Sequence, residues 1–410
     1  MKKILILFIL LLTASLGFSQ NLSGSWKGTL DLGVQKLALV FHLQKDAQGK
    51  VTCTMDSPDQ NARGIPVSLA YISPDSIHIE AGQLGMSYVG KLQGGTIHGR
   101  FSQNGINLPL DLQPGQEIRN RPQTPKAPFD YPTEEVVFTN VKAQATLSGT
   151  LTYPKDYQKG MKVPVVLLVS GSGLQNRDEG IFGHQPFLVI ADYFAHHGIA
   201  TLRYDDRGYG HSTGDASNAT TADFAEDAAA GVEWLKKTGK FCKIGVLGHS
   251  EGASIAFMLG ARSLVDFVIS MAGIGVKGDT ALTAQSNKIT ELMGHPVHFS
   301  VSQYRANVAL ENRPWLNYFI NYDPASDIGN TRCPVMAING SKDTQVLPDL
   351  NLTAIRKLLP DHRHNLIREY PGLNHLFQTC KTGLPSEYPD LEETMSPEVL
   401  NDLAKWINSL

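Results

Sequence analysis

The pentapeptide GHSEG around Ser250 constrains this chain more than any other feature. It follows the apolar, strand-like run Lys243–Gly248 and opens the helix-like run Glu251–Arg262. A serine held on so sharp a strand-to-helix turn adopts a strained backbone, so the residues two positions before and after it must be small. Gly248 and Gly252 meet that requirement. The pattern therefore predicts that Ser250 is a nucleophile raised above a sheet, at a helix N-terminus that favours negative charge.

Apolar, strand-like runs alternate with helical segments on both sides of this turn. Val163–Ser170 is a continuous apolar run of the kind found in strands buried on both faces. The other predicted elements of this region are the edge hairpin Glu135–Thr139 and Ala145–Tyr153, the strands Ala200–Tyr204, Lys243–Gly248, Phe267–Met271, Pro334–Asn339 and Asn365–Glu369, and the helices Gln185–His197, Thr221–Lys237, Glu251–Arg262, Leu350–Leu359 and Pro397–Leu410. Such alternation predicts a mostly parallel sheet whose ligands bind beyond the carboxyl ends of its strands.

The segment from 275 to about 330 interrupts this alternation. It contains more than fifty residues without a good central strand, two predicted helices at Thr283–Met293 and Ser302–Leu310, and several aromatic residues. A compact domain seldom holds so long a structureless loop, so we interpret the segment as a helical insertion. Because it follows a central strand, we expect it to cover the catalytic edge of the sheet as a lid.

The chain before residue 133 has a different pattern. Residues 1–19 combine a basic start, a short apolar run and small residues, which predicts a secretory signal peptide and export to the periplasm or beyond. Residues 20–115 contain short alternating strands between turn signals, which predicts a small all-β barrel or sandwich. Prolines concentrate in 116–132, which predicts an extended linker before a catalytic domain at 133–410.

Composition excludes several classes of partner and site. The chain has 36 Lys and Arg against 39 Asp and Glu, so it offers no basic face for nucleic acid and no polybasic membrane anchor. The histidines of the β-domain are predicted to be structural or solvated: His42, His78 and His98. The cysteines are too scattered for a disulfide framework or a zinc site, so most are predicted to be buried free thiols: Cys53, Cys242, Cys333 and Cys380. We expect no metal and no cofactor.

A nucleophilic serine needs a base that takes its proton and an acid that orients the base. In chains with this type of turn, the order is serine, then the acid, then histidine. Asp343 lies in the segment NGSKD, which continues from the apolar strand PVMAIN at the carboxyl end of that strand. Its rivals are Asp361, in a charged loop, and Glu369, inside a strand. We therefore predict that Asp343 is the acid.

His375 is the predicted base. It lies in the loop YPGLNHLF after the last predicted strand. His362 and His364 belong to a polar turn before that strand, where contact with solvent explains them. His249 lies within the GHSEG turn, and we expect its side chain to point away from Ser250.

Acyl transfer creates an oxyanion, which requires preorganised backbone donors. One donor is predicted to be the amide of Glu251, directly after the nucleophile. The other is predicted to come from the loop SGSG after the first buried strand, with Ser172 preferred and Gly173 next. The glycines of that loop allow the backbone to approach the substrate closely.

A second glycine-containing loop, DDRGYGHS, follows the next strand. Its spacing matches neither a P-loop nor a dinucleotide-binding fingerprint. We interpret it as a turn in which Asp206 and Arg207 brace the neighbouring loops.

With these motifs in place, residues from about 131 to 410 resemble the α/β-hydrolase family, and the arrangement of signal peptide, β-domain and hydrolase is similar to bacterial esterases of the EstD type. The resemblance implies that Ser250, Asp343 and His375 form the triad and that short-chain carboxylic esters are cleaved through a Ser250 acyl-enzyme. One departure concerns the oxyanion loop, which has Ser170 where many members carry histidine. The implied partner is a small-molecule ester.

Three other functions remain open from sequence alone. A serine peptidase of the prolyl-oligopeptidase type shares the nucleophile turn and the triad order, although it usually carries a propeller in place of a short β-domain. An acyl or feruloyl esterase acting on plant polysaccharide performs the same chemistry on a different leaving group. A carbohydrate-binding or envelope protein could retain the hydrolase fold without activity.

Overall fold

The structure is a computed structural model that describes residues 22–33, 36–46, 48, 50–60, 62–115, 119–295, 297–309, 311 and 313–410. The predicted signal peptide at 1–19 lies outside the described residues. Contacts divide the chain into two compact units. Of the described residues, the second unit contains those from 119 to 410 together with Leu32, Gly33, Lys36 and 58–60, and the first unit contains the others up to Gly115.

The first unit is an antiparallel sheet of nine strands, of which the first eight neighbour one another in chain order and the ninth lies beside the first. Its strands are β1 (Gly24–Asp31), β2 (Lys36–Lys45), β3 (Val51–Ser57), β4 (Ala62–Ile72), β5 (Ser76–Ala81), β6 (Met86–Gln93), β7 (Thr96–Gln103), β8 (Ile106–Pro109) and β9 (Gln113–Pro114). β8 pairs with β7, β9 pairs with β1, and Leu110 and Leu112 between them bond to residues of β7. Residues 106–114, the last stretch of this unit, thus close the sheet into a barrel.

Large side chains fill the interior of this barrel. Tyr88 is fully buried, and its hydroxyl donates to the carbonyl oxygens of Ile97 and Leu110 at 3.3 and 3.1 Å. A Cβ atom at Gly90 or Gly99 would overlap the Tyr88 side chain, so glycine at these positions makes room for the ring. The interior is therefore a packed core, as in other small barrels.

The second unit is built around an eight-stranded sheet in the order β10-β11-β13-β12-β14-β15-β16-β17. Its strands are β10 (Thr133–Asn140), β11 (Ala145–Thr152), β12 (Val163–Val169), β13 (Ala200–Tyr204), β14 (Phe241–His249), β15 (Phe267–Met271), β16 (Val335–Gly340) and β17 (Leu366–Tyr370). β10 and β11 pair antiparallel and form one edge, whereas the strands from β13 to β17 are parallel. This order, with helices between the parallel strands, confirms the expected α/β-hydrolase fold.

Nine α-helices of the described residues connect and cover these strands. They are α1 (Pro186–Ala195), α2 (Thr221–Thr238), α3 (Glu251–Ala261), α4 (Gly278–Leu292), α5 (Val301–Val308), α6 (Pro314–Asn321), α7 (Ala325–Asn330), α8 (Pro348–Leu358) and α9 (Pro397–Asn408). Four of them, α4 to α7, occupy the interval predicted to be an insertion. Within the described ranges, no helix combines the length and apolarity that a bilayer crossing requires.

The central strands of the sheet are buried on both faces because their sequences are continuously apolar. Along β12, Val165 and Leu167 belong to the core that includes α2 and α3, whereas Val166 and Leu168 belong to the core that includes α1 and α9. Successive side chains of a strand point to opposite faces, so an unbroken apolar run supplies both cores. The four cysteines are free, with Cys53 and Cys380 buried.

The proline-rich stretch is fastened to the second unit where it is described. The guanidinium of Arg121 donates to the carbonyl oxygens of Phe182 and Leu391 at 2.8 and 2.7 Å. The side-chain amide of Gln123 donates to the carbonyl oxygen of Met395 at 2.7 Å. The described part of this predicted linker is therefore held by specific contacts.

The loop after β13 braces its neighbours as predicted. The buried guanidinium of Arg207 donates to both carboxylate oxygens of Asp227 on α2, at 2.6 and 2.8 Å. Asp227 also accepts from the side-chain amide of Asn140 at the end of β10. Asp206 accepts from the backbone amide of Gln175 at 2.8 Å. One loop thus joins an edge strand, a helix and the loop after β12.

Candidate active site

Ser250 stands alone between β14 and α3, in the strained conformation that the sequence predicts. Its φ and ψ angles are 55° and −116°, and its amide donates to the carbonyl oxygen of Met271 at 2.9 Å. A Cβ atom at Gly248 would overlap the backbone of Gly252, and one at Gly252 would overlap the carbonyl oxygen of Val169. Only glycine fits at either position, so the steric argument made from the sequence applies here.

Asp343 and His375 meet beyond the carboxyl ends of β16 and β17. The Oδ2 atom of Asp343 accepts a hydrogen bond from Nδ1 of His375 at 2.8 Å. Its Oδ1 atom accepts from the backbone amides of Gln345 and Val346, each at 2.8 Å. A carboxylate is only an acceptor, so the proton of this pair lies on Nδ1 and Nε2 remains free to accept. The two side chains are buried, and the acid fixes the orientation of the imidazole.

The turn that carries His375 is held by Asn374. The Oδ1 atom of Asn374 accepts from the backbone amides of Leu376 and Gln378 at 3.0 and 2.9 Å. The rival residues lie elsewhere: Asp361 and His362 line a separate surface groove, and Glu369 is exposed on β17.

Ser250 and His375 line the same cavity, of about 230 Å³. Glu251 and Ser172 line it as well, whereas Gly173 lines a smaller neighbouring pocket. Asp343 lies behind His375. Among the described residues no direct hydrogen bond joins the Ser250 hydroxyl to His375, a link that commonly tightens only when substrate binds. The structure thus brings every predicted site residue to this edge of the sheet, with Gly173 outside the main cavity.

The insertion helices form the apolar wall of the cavity. Ala281, Leu282, Trp315 and Phe319, which lie on α4 and α6, line it. Trp315 and Phe319 stack with ring centroids 5.4 Å apart. These side chains place part of the insertion at the wall of the cavity that Ser250 also lines.

Sequence analysis assigned a role to the backbone amide of Glu251 but none to its carboxyl group. The Oε1 atom accepts from the Thr221 hydroxyl at 2.6 Å and from the indole N–H of Trp315 at 2.8 Å, and the Ser172 side chain also bonds this carboxyl group. Burial raises the pKa of Glu251. Its side chain therefore joins α2, the lid helix α6 and the predicted oxyanion loop. The acidic residue inside the turn was visible in the sequence, but its partners were not.

Glu179 and His249 also line the cavity and were not assigned a role from the sequence. The Oε1 atom of Glu179 accepts from Nδ1 of His249 at 2.9 Å, and Nε2 of His249 lies 3.0 Å from the carbonyl oxygen of His375. His249 was recognisable next to the nucleophile. No local signal marks Glu179, because its partner lies 70 residues away in the chain.

The three histidines of the barrel, which the sequence predicts to be structural or solvated, each pair with an acid. The Ser25 hydroxyl lies 2.8 Å from Nδ1 of His42, whose Nε2 lies 3.0 Å from Oδ2 of Asp56. Asp56 also accepts from the backbone amide of Gly64 at 2.7 Å. These side chains come from three neighbouring strands, and Ser25 lies within β1 with no strand-to-helix turn to expose it. We interpret the row as a cross-strand polar network.

Comparison with known proteins identifies related sequences. Residues 185–295 match the family model described as serine aminopeptidase, S33. Esterase EstD of Thermotoga maritima is 27% identical over 275 residues, which are 64% of this chain and 65% of that protein. The match thus spans slightly less than two thirds of the length of this relative.

Solved structures of similar fold include two microbial esterases. An esterase from Pyrococcus furiosus matches with a TM-score of 0.48 and 16% identity over 72% of this chain and 99% of that one. Est1E from Butyrivibrio proteoclasticus, solved with ferulic acid bound, matches with a TM-score of 0.45 and 16% identity over 67% of this chain and 97% of that one. The two sequence matches are thus to a family model described as a serine aminopeptidase and to an esterase.

Proposed function

We propose that this chain, an α/β-hydrolase similar to Esterase EstD, is a serine carboxylesterase that cleaves short-chain acyl esters through Ser250, Asp343 and His375. The observation that carries the proposal is the buried bond between Asp343 and His375 at the cavity that Ser250 also lines. A nucleophile, a base and an acid that orients the base are the three parts that acyl transfer requires.

The reaction follows from the positions of these groups. Nε2 of His375 takes the proton of the Ser250 hydroxyl, whose oxygen attacks the ester carbonyl. The amides of Glu251 and Ser172 stabilise the oxyanion, and each such donor typically lowers the barrier by about 3–4 kcal/mol. His375 then protonates the departing alcohol, leaving an acyl group on Ser250. Water, activated by the same imidazole, releases the acid and restores the serine.

The cavity supports a short acyl group as the substrate. Its volume is about 230 Å³, and apolar side chains of the lid form one wall. An acyl chain bound there exchanges water for contact with aliphatic and aromatic surface, which favours binding in proportion to the apolar area removed from water. We therefore expect acetyl and butyryl esters to be accepted.

The decisive experiment measures hydrolysis of p-nitrophenyl acetate and butyrate. Ser250→Ala should lower kcat by roughly 10⁵–10⁶-fold, the scale seen when a catalytic serine is removed. Ser25→Ala is the matched control, because the Ser25 hydroxyl lies within hydrogen-bond distance of a histidine that is paired with an acid, outside the proposed site. Its kcat should stay within about twofold of the unmodified protein. Unchanged turnover in Ser250→Ala would rule out the proposed nucleophile.

Covalent labelling with a fluorophosphonate probe distinguishes an activated serine from an inactive fold. The probe should label the unmodified protein and the Ser25→Ala variant, and should not label Ser250→Ala. Absence of labelling in the unmodified protein would favour a binding protein that retains the hydrolase fold.

A serine peptidase is the second candidate, because the matched family model carries an aminopeptidase description. Amino-acid p-nitroanilides separate the two functions, since the amide leaving group is harder to expel than an alkoxide or phenoxide. A value of kcat/KM on an anilide above that on p-nitrophenyl butyrate would assign the site to peptides.

A further inference from the structure

Glu179 and His249 form a second carboxylate–imidazole pair beside the proposed triad, and the reaction above uses neither side chain. Both are nearly inaccessible to solvent, at 4% and 6% of their full exposure. The ring of His249 lies 4.8 Å from that of His375, measured between centroids. An acid and a base that are buried this close to the proposed catalytic site, and that the reaction does not use, need an explanation of their role.

The hydrogen-bond partners of His249 determine its protonation state. Nδ1 faces Oε1 of Glu179, and the same oxygen accepts from the backbone amide of Gly171 at 2.8 Å. Nε2 faces the backbone carbonyl oxygen of His375, which has no hydrogen to donate. A neutral imidazole carries one N–H group only. The two bonds are satisfied either by an imidazolium beside a Glu179 carboxylate or by a protonated Glu179 that donates to Nδ1 of a neutral ring. The Gly171 amide donates to the same Glu179 oxygen, which favours the carboxylate and therefore the imidazolium.

The surrounding charges are consistent with this state. Burial alone would lower the pKa of His249, but the neighbouring charges and hydrogen bonds, those of Glu179 first, together outweigh burial and raise it. The bond to the His375 carbonyl and the charge of Asp343 act in the same direction. The other titratable groups that line this cavity are Glu251, His375 and Tyr388.

We propose that His249 and Glu179 are positioning residues: a permanently charged pair that ties the loop of the catalytic base to the loop of the second oxyanion donor. His249 holds the carbonyl group of His375. Glu179 holds the amide of Gly171, which directly precedes Ser172. The catalytic consequence rests on the proposed function, whereas the charged state of the pair does not.

The backbone beside the pair is strained at Glu179 and closely packed at Gly171. Glu179 adopts a left-handed φ of 51°, which costs a non-glycine residue free energy. A Cβ atom at Gly171 would lie 3.2 Å from Cβ of Ser250, so a bulkier residue there would push against the nucleophile. The loop therefore approaches Ser250 through bare backbone, and its amide is fixed from outside by a carboxylate.

The first test reads the charge directly and needs no catalytic activity. In protein labelled with ¹⁵N-histidine, His249 should show imidazolium shifts at both ring nitrogens, unchanged from pH 6 to pH 9. His184 is the internal control, because burial lowers its pKa to about 3 and its ring should stay neutral. His249→Gln assigns the signal by its loss. If the unmodified protein contains no histidine with two non-titrating N–H groups, the proposal is wrong, whatever the variant does.

The second test asks whether the pair positions the catalytic groups. Glu179→Gln and His249→Gln should each lower kcat by about 10–100-fold with KM within threefold, and should lower the rate of fluorophosphonate labelling in proportion. The double variant should lose no more than the worse single variant, because the two side chains act as a unit. Glu369→Gln and His362→Gln, at solvent-accessible positions away from the cavity, are the matched controls and should not change either rate.

Two outcomes would overturn the positioning role: single variants with native thermal stability and unchanged kcat, or single losses that multiply in the double variant. If esters are not turned over at all, the labelling rate still measures the reactivity of Ser250. Failure of the proposed function is thus distinguishable from failure of this inference.

Discussion

Two buried aspartates near the nucleophile differ in how their charge is satisfied. Asp343 accepts two backbone amides and the imidazole of His375. Asp206 accepts from the amide of Gln175 and, at 3.2 Å, from the hydroxyl of Ser170, and no cationic side chain in the described part of the chain bonds it. Burial raises the pKa of Asp206 to about 8. The side chain that braces the loop after β12 therefore carries a proton over much of the physiological range.

This raised pKa predicts how stability depends on pH. Because the pKa of Asp206 in the folded state exceeds its unfolded value of about 3.9, the folded protein binds the extra proton between these pH values. The contribution to the free energy of unfolding is complete below about pH 4 and is lost as pH rises through 8. Asp206→Asn cannot titrate, so relative to the unmodified protein it should gain more than about 1 kcal/mol between pH 5 and pH 8.

Urea unfolding at pH 5, 7 and 8 measures this difference. Asp361→Asn is the control, because Asp361 is exposed, and its free energy of unfolding should run parallel to that of the unmodified protein. Parallel curves for Asp206→Asn as well would show that Asp206 is ionised in the folded state.

The site residues that sequence predicted and those that it missed differ in how far along the chain their interactions reach. Ser250 was predictable because the steric demand on Gly248 and Gly252 acts within five residues, and Asp343 and His375 because chain order and strand ends limited the choice. Glu179 and Trp315 were not predictable, since each meets its partner across a long stretch of chain, 70 and 64 residues away. Sequence thus indicated the proposed reacting groups better than the groups that hold them.

At the scale of elements, the loop after β13 connects parts of the second unit that lie far apart in the chain. Arg207 and Asp227 are nearly buried, with side chains 6% and 1% exposed. Asp227 also bonds Asn140, so the pair connects α2 to the edge strand β10. A buried charge that loses its partner costs several kcal/mol, whereas an exposed pair contributes little.

We therefore expect Arg207→Met to lower the free energy of unfolding by about 3–5 kcal/mol, because Asp227 would remain charged and unpaired. The double variant Arg207→Met/Asp227→Leu should recover much of that loss. Arg262→Met is the matched control: Arg262 pairs with Glu226 between α3 and α2 at 2.7 Å, but both side chains are more than 40% exposed. Its cost should stay below about 1 kcal/mol. Equal losses for Arg207 and Arg262 in urea unfolding would contradict this ranking.

The ends of the strands and helices with strong periodicity were predicted to within a few residues. The number of helices in the insertion was not predicted. The strands and flanking helices of the sheet lie where apolar runs and amphipathic patterns placed them. In the insertion, sequence indicated two helices, but the structure has four, including α6 at Pro314–Asn321 and α7 at Ala325–Asn330. Helices of eight and six residues have little intrinsic stability and form mainly through packing, which local pattern does not show.

At the scale of the whole molecule, the two units have separate cores. The barrel core consists of residues between 22 and 112, and the two cores on either side of the hydrolase sheet consist of residues from 136 onward. Short strands and turns predicted the barrel class. Its closure depends on pairing of β9 with β1 across nearly the whole unit, a long-range contact that strand periodicity does not indicate. Separate cores predict that the barrel can lose stability without loss of the active site.

Tyr88→Ala tests this independence. Removing the fully buried ring should destabilise the barrel by about 3–5 kcal/mol, since it leaves a cavity beside Gly90 and Gly99. Tyr88→Phe keeps the ring and loses only the hydroxyl bonds, so it should cost about 1 kcal/mol. In calorimetry the barrel transition should move to lower temperature in the order Phe, then Ala, while the transition of the second unit stays in place. Hydrolysis of p-nitrophenyl butyrate at 25 °C should be unchanged in both variants, and a fall in kcat that tracks the barrel transition would show that the barrel supports the catalytic site.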